Sequence, residues 1–144
     1  MKLAIGCDHG GFSIKADIIN YLKEKGHEVI DCGTYSQESC DYPVFAAAVA
    51  RKVSAGEAEF GITLCKSGEG VSIAANKISG VRCGIAYNDE VAALMRQHNN
   101  CNMIAFGTSF ASNEDIFRRI DIFLSTPFEG GRHERRVELI NNLK

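Results

Sequence analysis
The sequence predicts a doubly wound α/β protein built on a parallel sheet. Three observations predict it. Short apolar runs alternate with amphipathic helical segments five times along the chain. The apolar runs are apolar throughout rather than at every second position, as expected of strands covered on both faces. The 144 residues are enough for one domain with a substantial core, 1–144, and too few for two ordinary ones.

Each element has its own signal. "KLAIGC" (Lys2–Cys7) suits a buried strand, and "GFSIKADIINYLKEKG" follows with Ile14, Ile18 and Leu22 four apart and Ile19 beside them. That is one stripe of a helix, ended by Gly26. "HEVIDCG" is a second strand. The next helix, "YPVFAAAVARKVSAG", is expected to turn Phe45, Ala48, Val49 and Val53 inward, with Gly56 just past its end. "EFGITLC" is a third strand and "GVSIAANK" opens a helix. "VRCGIAY" and "NMIAFG" are the fourth and fifth strands, separated by the helix "NDEVAALMRQH" with an Asn/Asp start. "SNEDIFRRIDIFLS" is expected to face Ile116, Ile120, Phe123 and Leu124 inward, and a last helix starts at Arg132.

Composition narrows the function classes. The chain is 45% apolar and 24% charged with a formal net charge of −2, so no basic field points to nucleic acid or an anionic membrane surface. No long apolar span and no basic segment followed by an apolar one is present, so neither a membrane helix nor a secretory signal is expected. The six cysteines are then expected to be free thiols in the cytoplasm. They contain no CxxC pair, so no structural zinc site is expected.

In a parallel sheet, ligands bind beyond the carboxyl ends of the strands. Three loops therefore matter: Asp8 and His9 after the first strand, Cys65 to Gly70 after the third, and Tyr87 to Asp89 after the fourth. "CKSGEG" has the makings of an anion cradle. Gly68 and Gly70 let the backbone approach closely, and the helix start offers free N–H groups. It is no nucleotide loop. No GxxxxGK[ST] occurs, and the third glycine of a GxGxxG fingerprint would fall on Ile73. The arginine of a cysteine phosphatase would fall on Val71. An ordinary tight turn remains the alternative.

Cys65, beside a helix N-terminus, is placed to lose its proton readily, whereas a buried cysteine elsewhere is a small apolar filler. The fillers are expected to be Cys7, Cys32, Cys40, Cys83 and Cys101. Asp8 serves either the site or a helix cap, and His9 either the site or the surface. Arg132 and Arg136, four apart, share one helical face with His133 beside them; they make either a phosphate clamp or a solvated charged face. His98 precedes the fifth strand and so belongs at the opposite end of the sheet from Cys65, ~17–20 Å away. It is either structural or it completes a site in a neighbouring chain.

Five stretches taken together, "GCDHGGFSIK", "DCGTYSQESCDYP", "CKSGEGVSIAANK", "RQHNN" and "FEGGRHERRVE", resemble the ribose-5-phosphate isomerase B family, which includes the galactose-6-phosphate isomerase subunits. They cover nearly the whole chain in order. The resemblance implies a Rossmann-like three-layer α/β/α sandwich with a C-terminal helix. It implies a homodimer or a dimer of dimers, and aldose–ketose isomerisation of a phosphosugar with neither metal nor cofactor. By position, Cys65 would be the base and His98 of the neighbouring chain would open the sugar ring, with Ser67 or Asp8 assisting. Asn99 and the amides from Ser67 through Gly68 and Glu69 to Gly70 would stabilise the enediolate. His9, Arg132 and Arg136, with His133 beside them, would hold the phosphate, and Tyr42 would contact the sugar.

Three positions depart from the family pattern. Lys66 replaces the usual glycine, Ser67 the usual threonine, and Ser109 an arginine found in many members. Lys66 thereby joins the substrate contacts. The default substrate is ribose 5-phosphate; the alternatives are a 6-phosphohexose such as allose or galactose 6-phosphate, or a tetrose phosphate. Outside this chemistry stand a non-catalytic phosphosugar-binding protein and a transferase or hydrolase with Cys65 as nucleophile.

Overall fold
The computed structural model describes residues 1–144. In chain order the elements are β1 (Lys2–Cys7), α1 (Phe12–Glu24), β2 (Glu28–Asp31), α2 (Tyr42–Ser54), β3 (Phe60–Cys65) and α3 (Glu69–Asn76). There follow β4 (Cys83–Ile85), α4 (Asp89–Gln97), β5 (Met103–Gly107), α5 (Asn113–Ser125) and α6 (Arg132–Asn141). The expected strands and helices are all present. All four strand pairings are parallel, in the order β2-β1-β3-β5-β4.

The side-chain alternation of each strand divides the core between the two faces of the sheet. Leu3 and Ile5 of β1, with Ile104 and Phe106 of β5, pack with α1, α4 and α5. Ala4, Met103 and Ala105 point the other way, toward α2 and α3. These are the three layers the sequence predicts. The first face is bulky, with Ile116, Ile120 and Phe123 fully covered. The second is built of small residues, so α2 lies close to the strands. A Cβ on Gly6 or Gly61 would come within 2.7 Å of the Val49 side chain.

That close approach rotates α2 from the expected orientation. Ala46, Val49, Ala50 and Val53 face inward, while Phe45 and Ala48 are only half-buried. Two alanines and two valines meet the sheet, with Val49 filling the space over Gly6 and Gly61, and the apolar stripe read from the largest residues was therefore displaced. In α5, Leu124 is likewise half-buried.

The strand order turns around between β1 and β3. The chain runs outward from β1 to β2 on one side; on the other it passes from β3 to the edge strand β4 and returns to β5 between them. In sheets of this kind a ligand is expected at the crevice there, at the carboxyl ends of β1 and β3. Asp8 and Cys65 stand at it. After β4, at this same carboxyl end, Asn88 caps α4 by accepting the Val91 N–H at 2.8 Å, and the helix runs away from the crevice to end at His98 at the other end of the sheet. No helix is long and apolar enough to cross a membrane.

Candidate active site
The residues singled out from the sequence fall into two groups at opposite ends of the sheet. Asp8, His9, Tyr42 and Cys65 to Gly70 gather around the switch-point crevice. Their loops are hydrogen-bonded to one another through the Asp8 N–H and the Leu64 carbonyl (3.2 Å). His98, Asn99, His133 and the two arginines gather at the amino ends of the strands. There the Glu129 N–H donates to the Gln97 carbonyl (3.1 Å), and Arg82 just before β4 reaches the Asn99 carbonyl (3.2 Å) and Asn141 of α6 (2.9 Å).

In the first group, Cys65 is the last residue of β3 rather than a helix residue. A turn separates it from α3 and bends back over it, so that the Gly68 N–H donates to the Cys65 Sγ at 3.1 Å. Gly68 takes φ +82, the left-handed region open to glycine, and a Cβ there would press on Phe106 and Gly107 at 3.0 Å. The same turn is clasped from behind by the Thr108 N–H to the Cys65 carbonyl (2.9 Å) and the Ser109 N–H to the Lys66 carbonyl (3.0 Å). A side chain at Gly107 would overlap the Ser67 backbone, and one at Gly70 would overlap the Tyr42 ring.

The turn leaves its functional groups outward. The Ser67 Oγ accepts the Glu69 N–H at 3.1 Å, so its own hydroxyl proton is free to be donated. Lys66, Ser67 and Glu69 are exposed, while Cys65 and Asp8 are buried. Asp8 does not cap α1. Its Oδ1 accepts the Gly10 N–H at 2.8 Å, and the position before α1 is Gly11, with no side-chain cap. Exposed His9 is met by a residue expected to be filler: the Cys40 N–H donates to His9 Nδ1 at 3.3 Å. A neutral ring with an accepting Nδ1 carries its proton on Nε2. His9 thus presents an N–H outward.

Two further residues fix this end, neither singled out beforehand. Thr108 Oγ1 donates to the Gly10 carbonyl (3.0 Å) and ties the β5 loop to the β1 loop. Buried Lys15 donates to the Asp31 carboxylate and to the Thr34 carbonyl, both at 2.6 Å, and so anchors the loop that carries Cys40 and Tyr42. Charged residues at helical positions ordinarily face water, so the pattern gave Lys15 no signal.

In the second group, His98 and His133 stack with ring centroids 4.3 Å apart and planes 11° from parallel. His133 faces inward with Val137, while Arg132 and Arg136 face solvent. The histidine therefore lies on a different face of α6 from the arginines it was expected to accompany. Burial lowers the His133 pKa, and the charges of His98 and Arg132 add to the effect. Glu129, also unforeseen, approaches both rings.

A groove of about 1040 Å³ runs along the free edge strand β4. Ser67, Glu69 and Gly107 line it, as do Asn99, Ile140 and Phe110. Tyr87, Phe110 and Ile140 are exposed large apolar side chains in it. Burial raises the pKa of Cys7 to about 11, of Cys83 to about 12 and of Cys101 to about 11. Burial also raises the pKa of Cys32. All six cysteines are free.

Fold and site together define an α/β sandwich with a thiol held in an amide-lined turn at its switch point. The chain belongs to the Ribose/Galactose Isomerase family, whose profile matches residues 3–140. It is 46% identical over 143 residues to "Ribose-5-phosphate isomerase B" of Escherichia coli, covering 99% of this chain and 96% of that protein. Among solved structures, ribose-5-phosphate isomerase B of Clostridium thermocellum superposes with a TM-score of 0.96 at 43% identity, covering 98% of this chain and 95% of that one. The enzyme of Mycoplasma genitalium with bound ribulose-5-phosphate superposes with a TM-score of 0.93 at 38% identity, covering 97% and 93%.

Proposed function
We propose that this chain is an aldose–ketose isomerase that interconverts ribose 5-phosphate and ribulose 5-phosphate through an enediolate. One observation carries the proposal: Cys65 Sγ, held by the Gly68 N–H in the switch-point crevice, in a chain akin over its full length to enzymes of that name. The Cys65 thiolate takes the proton from C2 of the open-chain aldose. The electron pair moves toward the C1 oxygen to give the enediolate, a proton passes from the C2 hydroxyl to the C1 oxygen, and the same sulfur returns its proton to C1 as the C2 carbonyl forms. The amides of the Ser67–Gly70 turn meet the charge that develops on oxygen, which is the main cost of removing a weakly acidic proton. His9, Arg132 and Arg136 grip the phosphate, and that remote binding positions the reacting carbons.

The two groups of residues act together in a homodimer. His98, Asn99, Arg132, His133 and Arg136 of one chain complete the crevice of the other, with His98 opening the ring and Ser67 or Asp8 assisting. The apolar groove along β4 supports such pairing, because a free strand edge flanked by exposed Tyr87 and Phe110 is a surface that another chain covers. The enzyme works in the cytoplasm without a cofactor.

The test is a panel of phosphosugars with the purified protein. Turnover of ribose 5-phosphate is expected. Turnover of a 6-phosphohexose or a tetrose phosphate in its place would move the substrate within the same chemistry. The panel must include those sugars, because the 3.0 Å bond between the backbones of Ser109 and Lys66 makes the two departing positions neighbours. A cation present at one is exchanged for a cation at the other.

A further inference from the structure
His98, Glu129 and His133 converge without hydrogen-bonding one another. The Nε2 of His98 lies 3.7 Å from Oε1 of Glu129, and the Nε2 of His133 lies 3.8 Å from the same oxygen. Both separations are too long for a hydrogen bond. One ligand atom from each residue falls within a sphere where all three lie within 4.8 Å of one another. Zinc binds imidazole nitrogen and carboxylate oxygen at about 2.0–2.2 Å, so its tetrahedral neighbours stand roughly 3.3–3.6 Å apart. The observed separations to Glu129 approach that spacing. The two rings stack nearly parallel, 4.3 Å apart and 11° between planes, so binding requires them to swing apart until both in-plane lone pairs point at one ion.

The backbone holds the three residues in register. The Glu129 N–H is bonded to the Gln97 carbonyl, next to His98, and the His133 N–H to the Gly130 carbonyl, next to Glu129. The His98 N–H is bonded back into α4 through Leu94. His133 is buried, whereas His98 and Glu129 are partly open to solvent. Three protein ligands with one open side is the arrangement of an accessible mononuclear site, and two imidazoles with a carboxylate suit zinc.

We propose that His98, Glu129 and His133 form a binding site for a divalent transition-metal ion, zinc foremost, and that its occupation inhibits the enzyme. The ion is an inhibitor and no resident cofactor. Inhibition rests on the isomerase proposal: a ring nitrogen of His98 that ligates a metal cannot carry the proton needed to open the sugar ring. Binding itself rests on the geometry alone.

The experiment uses the full chain without a histidine tag. Zinc is titrated in competition with a chromophoric chelator, and cobalt(II) is added to a parallel sample for its absorption spectrum. One zinc per chain is expected, with cobalt d–d bands and no thiolate-to-cobalt charge-transfer band. Glu129→Gln and His133→Gln, each checked for folding by circular dichroism, are each expected to weaken zinc binding by roughly tenfold or more. Wild-type turnover is expected to fall on adding zinc and return on adding chelator. Unchanged affinity in a folded variant would overturn the site, as would a dominant thiolate band, which would assign the metal to the cysteines. Binding without inhibition would overturn the inhibitory role. A protein that turns over no phosphosugar would fail the isomerase proposal while leaving the binding result intact.

Discussion
Cys65 closes β3 and His98 follows α4 at the other end of the same sheet, so the two cannot meet within one chain. β3 alone is six residues, or roughly 20 Å. This separation makes the proposed chemistry depend on a second copy, and it gives the individual residues distinct, testable duties.

Cys65→Ala should abolish exchange of the C2 proton of the sugar with solvent and leave phosphosugar binding largely intact. Isotope exchange followed by NMR, beside a direct binding titration, separates the two. Persisting exchange would remove Cys65 from the role of base. A covalent substrate adduct on Cys65 in mass spectrometry would instead make it a nucleophile.

Lys15→Met leaves the buried Thr34 carbonyl without its donor and frees the loop that meets His9. Loss of such a bond to a charged group costs about 1–3 kcal/mol. Urea unfolding should show that loss, and kinetics should show KM raised more than kcat is lowered. An unchanged KM would confine Lys15 to stability.

Thr63→Val should be neutral or stabilising, by up to about 1 kcal/mol. The Thr63 hydroxyl is wholly buried in β3 and has no hydrogen-bond partner. Valine keeps the shape and removes the orphaned polar group. A clear loss of stability would mean that the hydroxyl is satisfied in solution.

The fold was almost wholly legible in the sequence because buried parallel strands and amphipathic helices leave periodic signals in the chain. What was not legible followed from packing between elements. The inward face of α2 was displaced because Gly6 and Gly61 leave space that Val49 fills. At the site, Cys65, Asp8 and Ser67 could be found, since loops after strands are where ligands bind. Lys15, Cys40 and Thr108 could not, because their partners lie in distant loops. Glu129 stands just ahead of α6, where its spacing to His133 carried no helical meaning.

Asp89→Asn should destabilise at neutral pH and progressively less in acid. Hydrogen bonds from Arg118 and then Arg119 hold the Asp89 carboxyl below its usual range, and join the start of α4 to α5. A carboxyl with a depressed folded pKa adds stability above its unfolded value, near 3.9, and loses it as pH falls through the folded value. The gap between wild-type and variant unfolding midpoints should therefore narrow from pH 7 toward pH 3. A gap independent of pH would show that the charge of Asp89 is not what ties the helices.

The shared site is tested most directly by complementation. Cys65→Ala and His98→Asn proteins, each inactive, are mixed, dissociated and reassociated, and mixed dimers are confirmed by native mass spectrometry. Every mixed dimer then holds one crevice with both an intact Cys65 and an intact His98. Random pairing should restore about a quarter of wild-type turnover. No restoration in demonstrably mixed dimers would contradict an active site built from two chains.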